Sequence, residues 1–176
     1  DTIRNKLNCN SIRIYGKEPK LLLFSSEIAL QYGLNVWISP RLIDDTMENT
    51  LNYLAGIAKE FELLRRKYST QELVFIIGGE LTIDMNCFVL GNTIQERAAN
   101  LLKPLFFIKN LFGINPKFQK SFNQFLKNAV SLVKKEFSGK VTYASAMWET
   151  VDWSDFDFTS MNLYKASFNK FFFNQT

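Results

Sequence analysis

The chain has 176 residues but contains no histidine, only two cysteines, four prolines and eight glycines. Without histidine, a Ser-His-Asp triad, a Cys-His pair and a histidine-ligated zinc site are all excluded. No run of about 18 or more apolar residues occurs, so the sequence offers no membrane-spanning helix. Cys9 and Cys87 are far apart in the sequence, and we expect both to be free thiols. Any acid–base chemistry of this protein must therefore use side chains other than histidine.

The residues that are present describe a globular chain with an unusually large number of phenylalanines. Hydrophobic residues make up 47% and charged residues 22%, and there are 17 phenylalanines. We expect one α/β domain over residues 1–176 with its own core. The net charge is +4, but the densest basic clusters, residues 65–67 and 134–135, fall near the ends of predicted helices, where cations suit the helix dipole. Neither nucleic acid nor a membrane is therefore expected as a partner.

Short apolar runs alternate with long amphipathic segments along the chain. The runs predict strands over residues 11–15, 34–39, 73–77, 141–145 and 156–164, with helices between them. This alternation is typical of parallel α/β folds. Two architectures fit: part of a TIM-barrel-like (β/α)8 barrel, with five strands in this chain, or a complete five-stranded doubly wound sheet. A doubly wound nucleotide-binding domain should carry a glycine-rich loop after an early strand, and none is present.

Polar and aromatic side chains gather at the predicted carboxyl ends of the strands, where parallel α/β proteins bind their ligands. Glu80 follows the third strand and two glycines. The other strand-end residues are Arg13, Tyr15, Trp37, Ser39, Arg41, Ser145, Trp148, Glu149, Asn162 and Tyr164. Aromatic rings pack on the apolar faces of sugars, while carboxylates, amides and arginines bind sugar hydroxyls. Glycoside hydrolysis requires two carboxyl groups and no histidine.

Structural alternatives exist for the same residues. Glu80 could cap a helix or pair with an arginine, and Trp37 and Trp148 could simply pack. Glu149 belongs to an acidic loop that could be solvated. It could also approach Glu80 and complete a pair of carboxylates within this chain.

Several segments resemble the glycoside hydrolases of clan A, whose acid/base glutamate ends the fourth barrel strand. Residues 76–81, which end Gly79-Glu80-Leu81, resemble that fourth-strand segment. Residues 141–145 with Trp148 resemble the fifth strand, residues 156–164 the sixth, and residues 9–15 and 36–41 the second and third. The chain is also similar to bacterial glycosidase-like barrel proteins labelled "abortive infection protein", through residues 13–16, 39–41, 79–81 and 148–154. One departure is Gly79, which stands where clan A enzymes usually carry asparagine.

The resemblance implies a partial barrel that covers strands two to six and needs no cofactor and no metal. It implies Glu80 as general acid/base and a carbohydrate or glycoside as the ligand. The implied substrate-binding residues are Arg13, Tyr15, Trp37, Arg41, Trp148, Glu149, Asn162 and Tyr164. The nucleophile glutamate would lie on a seventh strand outside these residues, so this chain by itself is expected to be inactive. A non-catalytic carbohydrate-binding or phage-defence protein is the alternative.

Two further expectations concern location and association. The chain starts at Asp1 rather than at methionine and shows no basic-then-apolar segment typical of a signal peptide, so we expect a processed form or a fragment. We expect the bacterial cytoplasm rather than secretion. A partial barrel would leave strand edges and phenylalanines uncovered, so exposed apolar surface or self-association is expected.

Overall fold

The computed structural model describes residues 2–101, 103 and 116–163 of the chain. Its strands are β1 (Ser11–Gly16), β2 (Asn35–Pro40), β3 (Leu73–Gly79), β4 (Lys140–Ser145) and β5 (Ser160–Met161). Its helices are α1 (Pro19–Gln31), α2 (Met47–Lys67), the short α3 (Leu81–Asp84), α4 (Ile94–Leu101) and α5 (Pro116–Glu136), and a π-helical turn covers Thr2–Lys6. None of the helices in this described part of the chain combines the length and the apolar character needed to span a bilayer.

The five strands form one sheet in which every pair is parallel and the spatial order is β1-β2-β3-β4-β5. A doubly wound sheet reverses its direction at a switch point. This sheet has no reversal, so the doubly wound alternative is wrong. Right-handed crossovers that always step in one direction place their helices on the same face of the sheet. The chain is therefore a mixed α/β protein with helices flanking a five-stranded half-barrel.

One hydrogen bond shows how strongly the sheet curls. Neighbouring strands lie about 4.8 Å apart, so a flat sheet would separate the first and fifth strands by about 19 Å. Yet Arg13 of β1 donates from Nη1 to Oδ1 of Asn162, which directly follows β5, over 3.2 Å. The side chains of an arginine and an asparagine do not span a flat sheet of that width. The concave face must therefore close around the space between the outermost strands.

The convex face of the sheet and the helices form the main core. Parallel pairing places Ile14, Ile38, Phe75 and Val141 in one row across four strands. These side chains pack with the apolar stripes of the helices, including Phe61, which is completely buried. The three- and four-residue spacing of apolar residues on α2 and α5 is thus explained by burial against this face.

Buried side chains also fill most of the concave face below the carboxyl ends of the strands. Val74, Ile76 and Thr142 alternate with the core residues and are at most 1% exposed. The rings of Trp37 and Phe158 meet on this side, with centroids 5.1 Å apart. Because β3 is covered on both faces, its all-apolar sequence is explained.

The last strand is much shorter than the predicted span of residues 156–164. Asp157 donates its backbone N–H to the carbonyl of Val141, and its carboxylate accepts the N–H of Val141 at 2.7 Å. A side chain thus takes the place of a backbone partner, and regular pairing begins only at Ser160. The predicted strand therefore shrinks to two residues.

Exposed apolar side chains form a stripe along α1. Leu21, Phe24, Ile28 and Tyr32 follow one another at three- and four-residue spacing and are 39–64% exposed. The first three lie on α1, which packs against β1 and β2, and Tyr32 directly follows this helix. This helix therefore carries exposed apolar surface, while exposure and self-association at the edges of a partial barrel stay predictions.

Arg97 on α4 is completely buried and joins the segments that follow β2 and β3. Its Nε donates to the carbonyl of Ile83 at 2.6 Å, and Nη1 donates to Oδ1 of Asn86 at 2.6 Å. Nη2 donates to the carboxylate of Asp44, and the carbonyls of Gly91 and Asp84 accept further bonds from the same guanidinium. Arg97 thus holds both segments in place behind the strand ends.

We expect Arg97→Met to lower the free energy of unfolding by about 3 kcal/mol or more, because several buried carbonyls lose their donor. Arg66→Met is the matched control, since Arg66 is 70% exposed and pairs with Glu62 on its own helix. That control should cost less than about 1 kcal/mol. Urea unfolding of both variants measures the difference, and equal small losses would contradict the structural role given to Arg97.

Candidate ligand-binding site

A cavity of about 440 Å³ opens at the carboxyl ends of the strands. Its lining comes from β1, β2 and β3 and from the residues that directly follow β2, β3 and β5, namely Arg13, Tyr15, Ser39, Arg41, Gly79, Glu80 and Asn162. This is the edge where parallel α/β proteins bind ligands. Five of the nine predicted site residues are therefore brought together in one cavity: Arg13, Tyr15, Arg41, Glu80 and Asn162.

Glu80 occupies a sharp turn between β3 and α3. Its backbone is left-handed, with φ 56° and ψ 37°, a region that non-glycine residues seldom adopt. Gly78, two residues before Glu80, has a φ of 146°, which favours glycine. The pairing of β3 with β4 also shifts its register between Ile76 and Gly79. At Gly79 a Cβ atom would lie 3.4 Å from Ala144 and from Nδ2 of Asn162, so glycine lets these groups approach closely. Strained backbone of this kind is often retained at functional sites.

The amide groups that follow Glu80 are fixed by a buried network. Leu81 donates its N–H to the hydroxyl of Tyr143 at 2.9 Å, and Thr82 donates its N–H to Oε1 of Glu149 at 3.2 Å. Glu149 also accepts from the hydroxyl of Thr82 at 2.7 Å, from the hydroxyl of Tyr143 at 2.8 Å and from the N–H of Ala146 at 2.8 Å. Each carboxylate oxygen thus accepts two hydrogen bonds, and the network holds the turn that carries Glu80.

The side chain of Asn162 connects Glu80 with Arg13. Nδ2 of Asn162 donates to Oε1 of Glu80 at 3.1 Å, while its Oδ1 accepts from Arg13. Arg13 also donates from Nη2 to the hydroxyl of Ser39 at 3.0 Å. Asn162 itself is anchored because its N–H donates to the carbonyl of Ser145 at 2.8 Å. One chain of hydrogen bonds therefore runs across the mouth of the half-barrel from β3 to β2.

Arg41 is held by a buried carboxylate. Its Nε and Nη2 donate to the two oxygens of Asp84, each at 2.8 Å, and Asp84 is completely buried. The hydrogen bonds and charge of Asp84 raise the pKa of Arg41. The backbone N–H of Arg41 donates to the carbonyl of Gly16 at 2.8 Å. The guanidinium is thus fixed from behind, and its side chain is 36% exposed where it lines the cavity.

Three predicted site residues lie elsewhere. Trp37 packs against Phe158 below the cavity. Trp148 donates from Nε1 to the hydroxyl of Thr82 at 3.1 Å and packs against a small apolar cluster. Glu149 is buried in the network described above and lies outside the cavity lining, so it does not face a ligand together with Glu80. The structure places Trp148 and Glu149 in structural positions, and Tyr164 lies outside the described residues.

Sequence analysis missed the groups that stand behind the lining. Asp84 is part of α3, and Arg97 is part of α4. No strand-end position marks either residue, and both are charged types that are rarely buried without a partner. Among the described residues, no three histidine, cysteine, aspartate or glutamate side chains come together to hold a metal ion.

Comparison with known proteins adds no relative. No protein-family model matches the chain, and no curated protein matches its sequence. The functional interpretation therefore depends on the residues and the geometry described above.

Glu149 should make the stability of the folded chain depend on pH between about 4.5 and 7. Burial raises its pKa to about 7 from an ordinary value of 4.5, although four donors favour the ionised form. The folded state then binds the proton more tightly than the unfolded state, so stability is present below pH 4.5 and is lost as the pH rises towards 7. The expected loss is about 3 kcal/mol.

Urea unfolding at pH 5 and pH 7.5 measures most of this loss, about 2 kcal/mol, because part of it has already occurred at pH 5. Histidine, which normally titrates in this range, is absent from the chain. Glu149→Gln should abolish most of the difference between the two pH values, whatever its own stability. Glu136→Gln, at the end of α5, is the control and should keep the difference. A Glu149→Gln variant with the same pH dependence as the unmodified chain would contradict this assignment.

Proposed function

We propose that this chain is the portion of a glycoside hydrolase-like (β/α)8 barrel that spans strands two to six, and that its cavity binds a sugar. In the intact barrel, Glu80 acts as general acid by protonating the leaving glycosidic oxygen and then as general base by taking a proton from the attacking water. The observation that carries the proposal is the position of Glu80. It directly follows β3 in a strained turn, lines the cavity and accepts a hydrogen bond from Asn162.

The sheet supports the barrel part of this proposal. A curled, parallel sheet whose strands follow chain order and whose helices flank it is the arrangement of consecutive barrel units. Filled lower levels on the concave face, with polar residues at the carboxyl ends, match the division between packing and function in such barrels.

The cavity lining supports a sugar as the ligand. Arg13, Arg41 and Asn162 offer N–H donors, Glu80 and Ser39 offer acceptors, and the ring of Tyr15 is 67% exposed. A pyranose presents hydroxyl groups at its rim and C–H groups on its faces. Donors, acceptors and one exposed ring in a single cavity therefore fit a polyhydroxylated ring better than an apolar ligand.

A non-catalytic carbohydrate-binding protein, including one with a phage-defence role, is the second candidate. It is favoured by one observation: Glu80 is the only carboxylate among the described residues that line the cavity. Asp84 is buried behind Arg41, and both oxygens of Glu149 are occupied by protein donors. Hydrolysis needs a second carboxyl group about 5–10 Å away. This chain should therefore bind sugars without cleaving them.

Titration of the 176-residue chain with methyl glycosides, followed by NMR, tests the proposal. We expect millimolar or tighter binding of at least one pyranoside, with signal changes at Tyr15, Ser39 and Gly79. Arg13→Ala should weaken that binding about tenfold, because a ligand hydrogen bond and the link through Asn162 are lost. Arg66→Ala, on the far helix, is the control and should bind normally.

The same samples should be incubated with 4-nitrophenyl glycosides. No release of nitrophenol is expected from the unmodified chain or from Glu80→Gln. Turnover that Glu80→Gln abolishes would show a complete catalytic pair within this chain and contradict the partial-barrel proposal. The absence of any sugar binding would contradict both candidate functions.

A further inference from the structure

The hydrogen atoms of the network around Glu149 can be counted one by one. The hydroxyl of Tyr143 accepts the N–H of Leu81 and donates its own hydrogen to Oε2 of Glu149. The hydroxyl of Thr82 accepts from Nε1 of Trp148 and donates its hydrogen to Oε1. Two backbone N–H groups supply the other two bonds to the carboxyl group. Four donors thus meet the four acceptor positions of an ionised carboxylate.

A proton on Glu149 does not fit this arrangement. The new O–H group would need an acceptor, and the hydroxyls that contact the carboxyl group among the described residues are those of Thr82 and Tyr143, at 2.7 Å and 2.8 Å. Whichever hydroxyl accepted this proton would have to turn its own hydrogen away from Glu149. Both residues are completely buried, so the displaced hydrogen would lie in the core rather than in water. Protonation must therefore break a hydrogen bond of the network or move its residues.

The same network holds the two residues that directly follow Glu80. Leu81 and Thr82 come immediately after its left-handed backbone, and their N–H groups are bound by Tyr143 and Glu149. Both residues are buried, whereas Glu80 lines the cavity. A rearrangement at Glu149 therefore reaches the carboxyl group in the cavity through two residues of backbone.

We infer that Glu149 is a positioning residue whose ionised form sets the geometry of Glu80, so that the cavity binds its ligand tightly only when this buried carboxyl group has lost its proton. Glu149 lies outside the cavity lining and acts through residues 81–82. The step from the turn to ligand binding rests on the proposed sugar-binding function. The step from Glu149 to the turn does not, so the two steps can be tested separately.

The charged and titratable groups around this network come from β4, α3, α4 and the residue after β2. Burial raises the pKa of Tyr143 well above its ordinary value of 10, so the phenol keeps its proton. Asp84 acts electrostatically on Tyr143 and is itself influenced by Arg41 and Arg97. Burial raises the pKa of Asp84 and raises the pKa of Glu149 to about 7. Asp84 is thus the rival source of a pH dependence, and variants at Glu149 separate the two.

NMR titration of the ligand-free 176-residue chain from pH 5 to pH 9 tests the link between Glu149 and the turn. The amide signals of Leu81 and Thr82 should move with one common midpoint near pH 7. Glu149→Gln should abolish these movements, while Glu136→Gln, at the exposed end of α5, is the control and should keep them. Thr82→Val removes one donor to the carboxylate at similar side-chain size, so it should raise the midpoint measured at Leu81 by about one pH unit or more.

Titration with methyl pyranosides at pH 5.5 and pH 8.5 tests the link between the turn and the cavity. We expect a glycoside that binds to do so at least about fivefold more tightly at pH 8.5, which corresponds to about one buried hydrogen bond. Because coupling between two sites is reciprocal, saturating glycoside should lower the midpoint at Leu81 by about 0.7 pH units for that factor. Glu149→Gln should lose most of the difference in affinity, and Glu136→Gln should keep it.

The outcomes separate this inference from the function on which it rests. Signals of Leu81 and Thr82 that do not change near pH 7, or that change equally in Glu149→Gln, would overturn the inference at the turn. An unchanged midpoint in Thr82→Val would do the same, even where Glu149→Gln does not fold. A turn that titrates as expected while the glycoside binds equally at both pH values would overturn the link to the cavity and leave the sugar site intact.

Binding of no glycoside at any pH would overturn the proposed function and, with it, the link to binding. The ligand-free titration would then still decide whether the proton on Glu149 controls the turn.

Discussion

The uniform direction of the five strands is the constraint on which the rest of the molecule depends. Because the strands are parallel and follow chain order, all their carboxyl ends meet at one edge and the helices share one face. The apolar stripes of the helices therefore all pack against the convex face of the sheet. The curl brings residues from the outermost strands within hydrogen-bond distance, as Arg13 and Asn162 show. The cavity is a consequence of the topology, and the side chains at the strand ends decide its chemistry.

Much of the fold could be predicted from sequence because burial leaves a periodic signal. The stripes of α2 and α5 and the all-apolar β3 directly reflect which faces are covered. The length of the last strand could not be predicted in this way. Its residues alternate as a strand should, but Asp157 takes the N–H of Val141 with its side chain. Local patterns do not show whether a backbone group is paired by another backbone or by a carboxylate.

The candidate site divides along a similar line. The rule that ligands meet the carboxyl ends of parallel strands predicted that Arg13, Arg41 and Glu80 lie close together, and all three line the cavity. It failed for Glu149, which follows β4 in sequence yet turns inward to accept four hydrogen bonds. Nor could it find Asp84, since a charged residue inside a short helix is expected to face water. Whether a charged group is buried depends on the hydrogen-bond donors that the fold brings next to it. A single sequence does not show which distant residues these donors are.

The two buried carboxylates, Glu149 and Asp84, thus have a different role from Glu80, which lines the cavity. Glu149 and Asp84 are satisfied by protein donors and hold, respectively, the turn of Glu80 and the guanidinium of Arg41. Glu80 lies in the cavity and shares Asn162 with Arg13. Asn162 reaches the site from the two-residue β5, which β4 anchors through Ser145 and Ala144. The backbone beneath Glu80 is therefore set by the core, whereas the contacts of its side chain depend on the edge of the sheet. A ligand that replaced the hydrogen bonds of Asn162 to Glu80 and Arg13 would therefore affect the β5 edge of the sheet before it affected the core.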